Sequence, residues 1–433
     1  MQILIKKIVY PGRSLADKDG KVVFTDEGLP GEVVEVEPFG EKASYIEART
    51  VGIIEPSARR VEPRCGHFKA CSPWQNMEYA LQLEIKGAQV REIFSRELKI
   101  ELDRLEVVPS PRVWSYRNRA KFHVLWQDNG PFAAYHEPGS EAAFVRTERC
   151  ELVPDEMNGL LGAVIRGIGK SDLRSVTDVE IRRSTADGRM LISLSVGSGA
   201  DLKAVREAFG GLGNEFSLAG IVGLLNDRNK TSEVPLLGKG FIEETVAGMR
   251  FRIGARSFFQ VNVEQLAAVA GGMQRIAAAA GEPRIADLYC GIGTFGVLLA
   301  PRAKEVFGVE SEDANIRFLK KNLTQNGVGN YAVCEGTSEE WIGEILDRSI
   351  DLVILDPPRK GMEPGLARAL AEDPVRTLIY LSCNPATLAR DLKTLLGAYE
   401  LAEVKVFDFF PHTPHIETLI LLNRACPRVT VQE

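Results

Sequence analysis

From residue 285 the chain reads Ile285-Ala-Asp287-Leu-Tyr289-Cys-Gly291-Ile-Gly293-Thr-Phe-Gly296: an apolar strand, a glycine-rich turn, then the start of a helix. Bare glycines let a turn tighten and let a ligand approach the backbone. That combination predicts a strand of an open parallel sheet with its ligand beyond the carboxyl end. The surrounding pattern agrees, because from about residue 264 apolar strands alternate with helical stretches, as in a doubly wound α/β sheet. The next strand, Glu305-Val-Phe-Gly-Val-Glu310, ends on an acid that can bind both hydroxyls of a ribose. Gly291, Gly293 and Gly296 satisfy the GxGxxG spacing, so a dinucleotide-binding dehydrogenase is one reading. The acidic strand end at Asp287 and the late position of the motif weigh against it.

Two later strand ends carry the candidate chemistry. Thr377-Leu-Ile-Tyr-Leu-Ser-Cys383-Asn-Pro385 reads as a buried parallel strand stopped by proline, with a cysteine at its carboxyl end. Such a cysteine is either a nucleophile or a small apolar residue ending a strand. The preceding strand, Ser349-Ile-Asp-Leu-Val-Ile-Leu, runs into Asp356-Pro-Pro358-Arg359, an acid and two prolines that resemble the loop where amino methyltransferases hold a base, with Arg359 where those have an aromatic. Phe410-Pro-His412-Thr-Pro-His415-Ile-Glu417 then leads into a final apolar strand. An exocyclic amine needs no cysteine to be methylated, but a pyrimidine C5 does. Thiolate addition at C6 makes C5 nucleophilic, and a base must afterwards remove the C5 proton. Cys383 and Glu417 fit those two tasks. His412, His415 and Glu417 could also suggest a metal site.

At 433 residues the chain predicts two to four domains. Residues 1–56 alternate short β-like runs with turn signals and predict a small OB-like β-barrel, a fold that binds single-stranded nucleic acid or docks proteins. A cysteine-containing loop follows, then a helical pattern from Met77 to about Ile100, then a β-rich α+β region over 122–250. Residues 112–121 hold Arg112, Arg117, Arg119, Lys121 and two aromatics but no acid, which suits phosphates and stacked bases; an edge strand guarded by cations is the alternative. A net charge of −6 argues against non-selective coating of nucleic acid, not against a local basic groove. No apolar run is long enough for a membrane span, and the amino terminus lacks a signal-peptide core. Seven scattered cysteines do not form a secreted disulfide framework, so the cytoplasm is the expected location.

Asp-x-x-x-Gly-x-Gly with a downstream acid resembles the first two motifs of class I S-adenosylmethionine-dependent methyltransferases, whose donor would give Asp287 and Glu310 polar work. With Ser-Cys383-Asn-Pro, His-Ile-Glu417 and Ser257-Phe-Phe-Gln260-Val-Asn262, the whole resembles the RNA uracil-C5 methyltransferase family. The resemblance implies S-adenosylmethionine held by Gln260, Tyr289, Gly291, Gly293, Thr294, Glu310 and Asp356, with Cys383 as nucleophile and Glu417 as base. It also implies RNA as partner, contacted by Arg117, Arg119 and Lys121, and a monomer. The opening segment is similar to a TRAM barrel. The implied division is a barrel over 1–56, a central α+β domain over 57–76 and 110–255, a Rossmann-like catalytic domain over 77–109 and 256–424, and a tail over 425–433. Ribosomal-RNA members bind a [4Fe–4S] cluster through four cysteines. Here Cys65, Cys71 and Cys150 stand in place, but Trp74 occupies the remaining position. Three readings follow: a three-cysteine cluster with an outside ligand, zinc on Cys65, His67, Cys71 and Cys150, or no metal with Trp74 as core. The barrel and cysteines favour ribosomal over transfer RNA. An RNA cytosine-C5 enzyme, an amino methyltransferase and an inactive RNA-binding paralogue are the alternatives.

Overall fold

The structure is a computed structural model and describes residues 1–197, 199–227 and 230–426. Its first 55 residues form one six-stranded sheet, ordered Gln2–Leu4, Val33–Glu41, Tyr45–Glu55, Lys21–Thr25, Arg13–Lys18, Lys7–Val9. The two outer strands are one stretch of chain interrupted at Ile5 and Lys6. Ile5 N–H donates to Glu32 on one side and Lys6 N–H to Leu15 on the other, so the sheet closes into a barrel. Asp19 and Gly20, at φ 51° and 81°, form the two-residue turn that the strand twist favours. Ile3, Ile5, Ala16, Val23, Val34 and Val36 fill the interior.

The middle of the chain builds a seven-stranded sheet, ordered Phe144–Arg146, Gly130–His136, Arg119–Gln127, Val176–Arg183, Met190–Val196, Leu218–Asp227, Lys230–Gly238. Helices Asp155–Lys170 and Leu202–Phe209 pack into its core. The basic stretch enters this sheet at Arg119–Gln127, which is flanked on both sides, so the edge-strand alternative for it does not hold. A hairpin, Phe241–Val246 with Met249–Gly254, follows, and its Ile242, Val246, Phe251 and Ile253 join the core of the last sheet.

That sheet has eight strands, ordered Tyr331–Glu335, Glu305–Glu310, Arg284–Leu288, Leu352–Leu355, Thr377–Ser382, Glu417–Arg424, Tyr399–Phe407, Glu106–Val108. All four residues of Leu352–Leu355 are 0% exposed, as a strand covered on both faces requires. Burial of each such side chain stabilises by roughly 1.5–3 kcal/mol. Helices Val263–Ala280, Thr294–Leu299 and Asp313–Gln325 cover one face. Tyr79–Leu98, Ser338–Leu346, Pro364–Glu372 and Pro385–Leu395 cover the other. The sheet is not wholly parallel as expected: Thr377–Ser382 is parallel to Leu352–Leu355 but antiparallel to Glu417–Arg424. The cause is the short 408–416 connection, which turns the chain straight back after Tyr399–Phe407. The chain leaves Arg284–Leu288 toward one neighbour and later returns to its other side with Leu352–Leu355. Succession reverses there, and a crevice opens beyond the carboxyl ends. The expected tail lies outside the described residues from position 427 onward.

Candidate active site

A cavity of about 890 Å³ lies in that crevice. Tyr289 and Gly291 carry the chain through the turn at φ 62° and 58°, and Gly293, at φ 85°, opens the helix Thr294–Leu299. A Cβ on Gly293 would stand 2.4 Å from Leu319, and one on Gly296 would stand 2.6 Å from the Tyr331 ring. Glycine is therefore sterically required at both. Glu310 Oε2 accepts from Gly291 N–H at 2.9 Å, and its Oε1 accepts from Ser311 and Glu312 N–H at 2.9 and 2.7 Å. Three backbone donors thus fix one carboxylate at the cavity wall, the arrangement a ribose diol needs. Tyr289 OH donates to Glu339 Oε1 at 2.8 Å.

Asp287 does other work than expected. It accepts from Gly296 N–H at 2.8 Å, is 1% exposed, and braces the helix start rather than lining the cavity. Burial, opposed by that N–H, pushes its carboxyl up to about 7.

At the other end of the cavity stand Asp356, Arg359, Cys383, Phe410, His415 and Glu417. Desolvation pushes Asp356 up to about 7. Burial, then the neighbouring Glu417 and Asp356, pushes the Cys383 thiol up to about 12, against the pull of Arg359. Glu417 is 4% exposed, and its Oε2 has no hydrogen-bond partner among the described residues. Burial and Asp356 raise this carboxyl well above the usual range, and Arg359 again opposes. A buried carboxyl oxygen without a donor is costly, and this one faces the cavity that Cys383 also lines. His415 stands edge-on to Phe410 with centroids 5.5 Å apart, and burial pushes it down to about 4, leaving it neutral.

The connection before Glu417 is held by a buried polar network. Lys86 and Asp408, both 0% exposed, pair at 2.6 Å, and Lys86 also donates to Phe410 O at 3.1 Å. Tyr79 OH donates to Asp408 at 2.7 Å, Asn262 to Phe409 O at 3.2 Å, and Tyr116 OH to Pro411 O at 3.1 Å. His412 belongs to this scaffold, 3.1 Å from Gln82 and stacked on Trp114 at 3.7 Å. Its Nδ1 is engaged there, and no group of three metal-ligating side chains occurs among the described residues, so the His412–His415–Glu417 metal reading fails.

Gln260 lines the cavity, and so does Arg119, which also pairs with Glu180 at 2.7 Å. Gly293 and Thr294 stand behind the wall at the helix start. Arg117 is half-buried against Tyr116 and Phe410, with its guanidinium 5.9 Å from each ring, and Lys121 is exposed beside Asp178 at 3.3 Å. Of the three expected RNA contacts only Arg119 reaches the cavity. Phe258, 55% exposed at its rim, and Phe410 also line the cavity; both lie within the quoted motifs, but the sequence gives neither a role of its own.

The cysteine loop does not fit a four-thiolate cluster. Trp74, at the missing thiolate's position, is 3% exposed and packs with Ile8, Leu29, Met77, Leu81 and Ile85. Cys65 Sγ accepts from Gln75 at 3.3 Å, and burial pushes the Cys71 thiol up to about 12.

A crevice at a reversal of strand succession, with a glycine turn on one side and an acid on the next strand end, is the plan of the S-adenosylmethionine-dependent methyltransferases. The family model described as tRNA (uracil-5-)-methyltransferase matches residues 78–425, and the chain belongs to that family. An uncharacterized RNA methyltransferase of Thermosynechococcus vestitus is 30% identical over 440 residues, covering 98% of each chain. One of Gloeobacter violaceus is 33% identical, covering 94% of this chain and 92% of its own. Among solved structures, the Pyrococcus abyssi tRNA (uracil-54, C5)-methyltransferase in complex with S-adenosyl-L-homocysteine aligns with a TM-score of 0.77 and 25% identity, over 98% of this chain and 100% of that one. The chain is thus a methyltransferase acting on RNA. Among the described residues, no helix is long and apolar enough to cross a membrane.

Proposed function

We propose that the protein methylates C5 of a specific uridine in structured RNA through a covalent bond between Cys383 and C6 of the base. The observation that carries this reading is the presence, in one cavity, of a strand-end thiol and a buried carboxyl whose Oε2 has no hydrogen-bond partner among the described residues. Gln260, Tyr289, Gly291, Glu310 and Asp356 hold the cofactor and the edge of the base, while Gly293 and Thr294 shape the turn behind them. S-adenosylmethionine supplies an electrophilic methyl group. Cys383 attacks C6, its proton passing to a neighbouring carboxylate, and the pair of electrons moves to make C5 nucleophilic. After C5 takes the methyl, Glu417 removes the C5 proton and the thiolate leaves, restoring the double bond. The high affinity of Glu417 for a proton suits that last step.

Ribosomal RNA is the proposed substrate, on the strength of Cys65, Cys71 and Cys150, which stand where the ribosomal-RNA members have theirs. Transfer RNA is the second reading: the Pyrococcus abyssi tRNA (uracil-54, C5)-methyltransferase aligns over 98% of this chain. Incubation of both RNA classes, transcribed without modification, with labelled cofactor and nucleoside analysis tests the proposal. Label in 5-methyluridine supports it; label only in a methylated cytidine or an amino group overturns it. A Glu417→Gln variant is expected to accumulate protein bound to methylated RNA, and normal turnover by that variant would remove Glu417 as the base.

A further inference from the structure

The turn joining Lys7–Val9 to Arg13–Lys18 reaches out of the barrel into the catalytic half. Tyr10 packs against the core beneath the C-terminal sheet, and its phenol donates to Asn384 Oδ1 at 3.0 Å. Two residues on, Gly12 lies against the connection that precedes Glu417. Its φ is 117°, and a Cβ there would stand 2.7 Å from Pro414 Cβ. One three-residue turn therefore touches the residue after Cys383 and the residue three before Glu417.

Asn384 is a junction rather than a passive partner. Its Oδ1 also accepts from Ala386 and Thr387 N–H at 3.1 and 3.4 Å, capping the helix Pro385–Leu395. Its Nδ2 donates to Arg359 O at 3.1 Å. The same side chain thus ties the cysteine's loop to the loop that carries Arg359. Packing alone would dock the barrel with any apolar residue at position 10; a phenol aimed at this asparagine does something more specific. The cofactor end of the cavity is built from different strand ends, Arg284–Leu288 and Glu305–Glu310.

We propose that Tyr10 is a positioning residue for methyl transfer, setting the Cys383 loop through Asn384 while Gly12 against Pro414 sets the Glu417 loop. The inference rests on Cys383 being the nucleophile. It makes the barrel part of the catalytic apparatus, and it separates chemistry from cofactor binding. The test uses the full chain under single turnover at saturating RNA, with Tyr10→Phe, Tyr10→Ala and Cys383→Ala. Tyr10→Phe keeps the ring and removes one neutral hydrogen bond, so the methyl-transfer rate is expected to fall about tenfold. Its affinities for RNA and cofactor and its melting temperature should match wild type, and Tyr10→Ala should be slower still. Wild-type rates in Tyr10→Phe beside an inactive Cys383→Ala overturn this proposal alone. So does a Tyr10→Phe loss that comes with equal losses of stability and cofactor affinity, which would make the contact merely structural. Activity in Cys383→Ala would instead remove the nucleophile assignment on which the inference stands.

Discussion

Cys383 and Glu417 continue one antiparallel register. Ser382 pairs with Thr418, and the next step outward is Cys383 on one strand and Glu417 on the other. Both residues line the same cavity. C5 and C6 of a pyrimidine are adjacent atoms, so a thiol and a carboxyl brought to one cavity from neighbouring strands suit the two positions the proposed chemistry uses. Adding the thiol to one face and the methyl to the other leaves the C5 proton on the thiol's side, from which the proposed base must reach it.

Arg359 opposes the upward push on both groups. Attack needs the thiolate, so covalent addition should rise with pH, and Arg359→Gln should move that profile to higher pH. One pKa unit is a factor of ten in thiolate, so a loss of about tenfold near neutral pH, recovered toward alkaline pH, is expected. Single-turnover addition to RNA containing 5-fluorouridine measures it. An equal loss at every pH would assign Arg359 to RNA binding instead.

Asp356 is held at about 7 in the folded chain, above its ordinary value of 3.8. A carboxyl raised by folding contributes stability below its unfolded pKa and loses it as pH climbs through the folded one. Asp356→Asn never ionises. Its stability advantage over wild type should therefore grow between pH 3.8 and 7 and then level, while methyl transfer is lost. The open side of the residue toward the cavity reduces the effect to about 1–2 kcal/mol. Denaturant midpoints across that range check it, and an advantage that shrinks with rising pH would contradict the assignment.

The parts of the site legible in the sequence are those that one strand and its turn define alone. Glu310, Asp356 and Cys383 stand at or just past the carboxyl end of a strand and Gly291 in the turn that follows one, and such a position in an α/β sheet carries its own address. Glu417 was legible from the apolar strand it opens, although its antiparallel pairing was not, because pairing depends on how a nine-residue connection folds. Asp287 was misread because its partner, Gly296, is visible only once the helix stands over it. Arg117 looked like a phosphate contact, but its surroundings come from Tyr116 and the distant Phe410. Tyr10 lies 374 positions from Asn384, and no local pattern announces that contact.

Trp74 fills the position of the missing thiolate as core, and no group of three metal-ligating side chains occurs among the described residues. Protein purified without oxygen is expected to carry no stoichiometric iron or zinc, and chelators should leave methyl transfer unchanged. Trp74→Ala removes an indole shared by the barrel residues Ile8 and Leu29 and the helix residues Leu81 and Ile85, at a cost of about 3–5 kcal/mol. Iron at one cluster per chain, lost together with activity, would refute this part of the account.

The most direct measurement is mass spectrometry of the protein after incubation with cofactor and RNA carrying 5-fluorouridine at the target position. Fluorine at C5 cannot leave as a proton, so the covalent intermediate should persist. The expected result is a methylated nucleotide bonded to the peptide bearing Cys383, absent in Cys383→Ala. An adduct that survives in Cys383→Ala, or one mapped to another residue, would contradict the account.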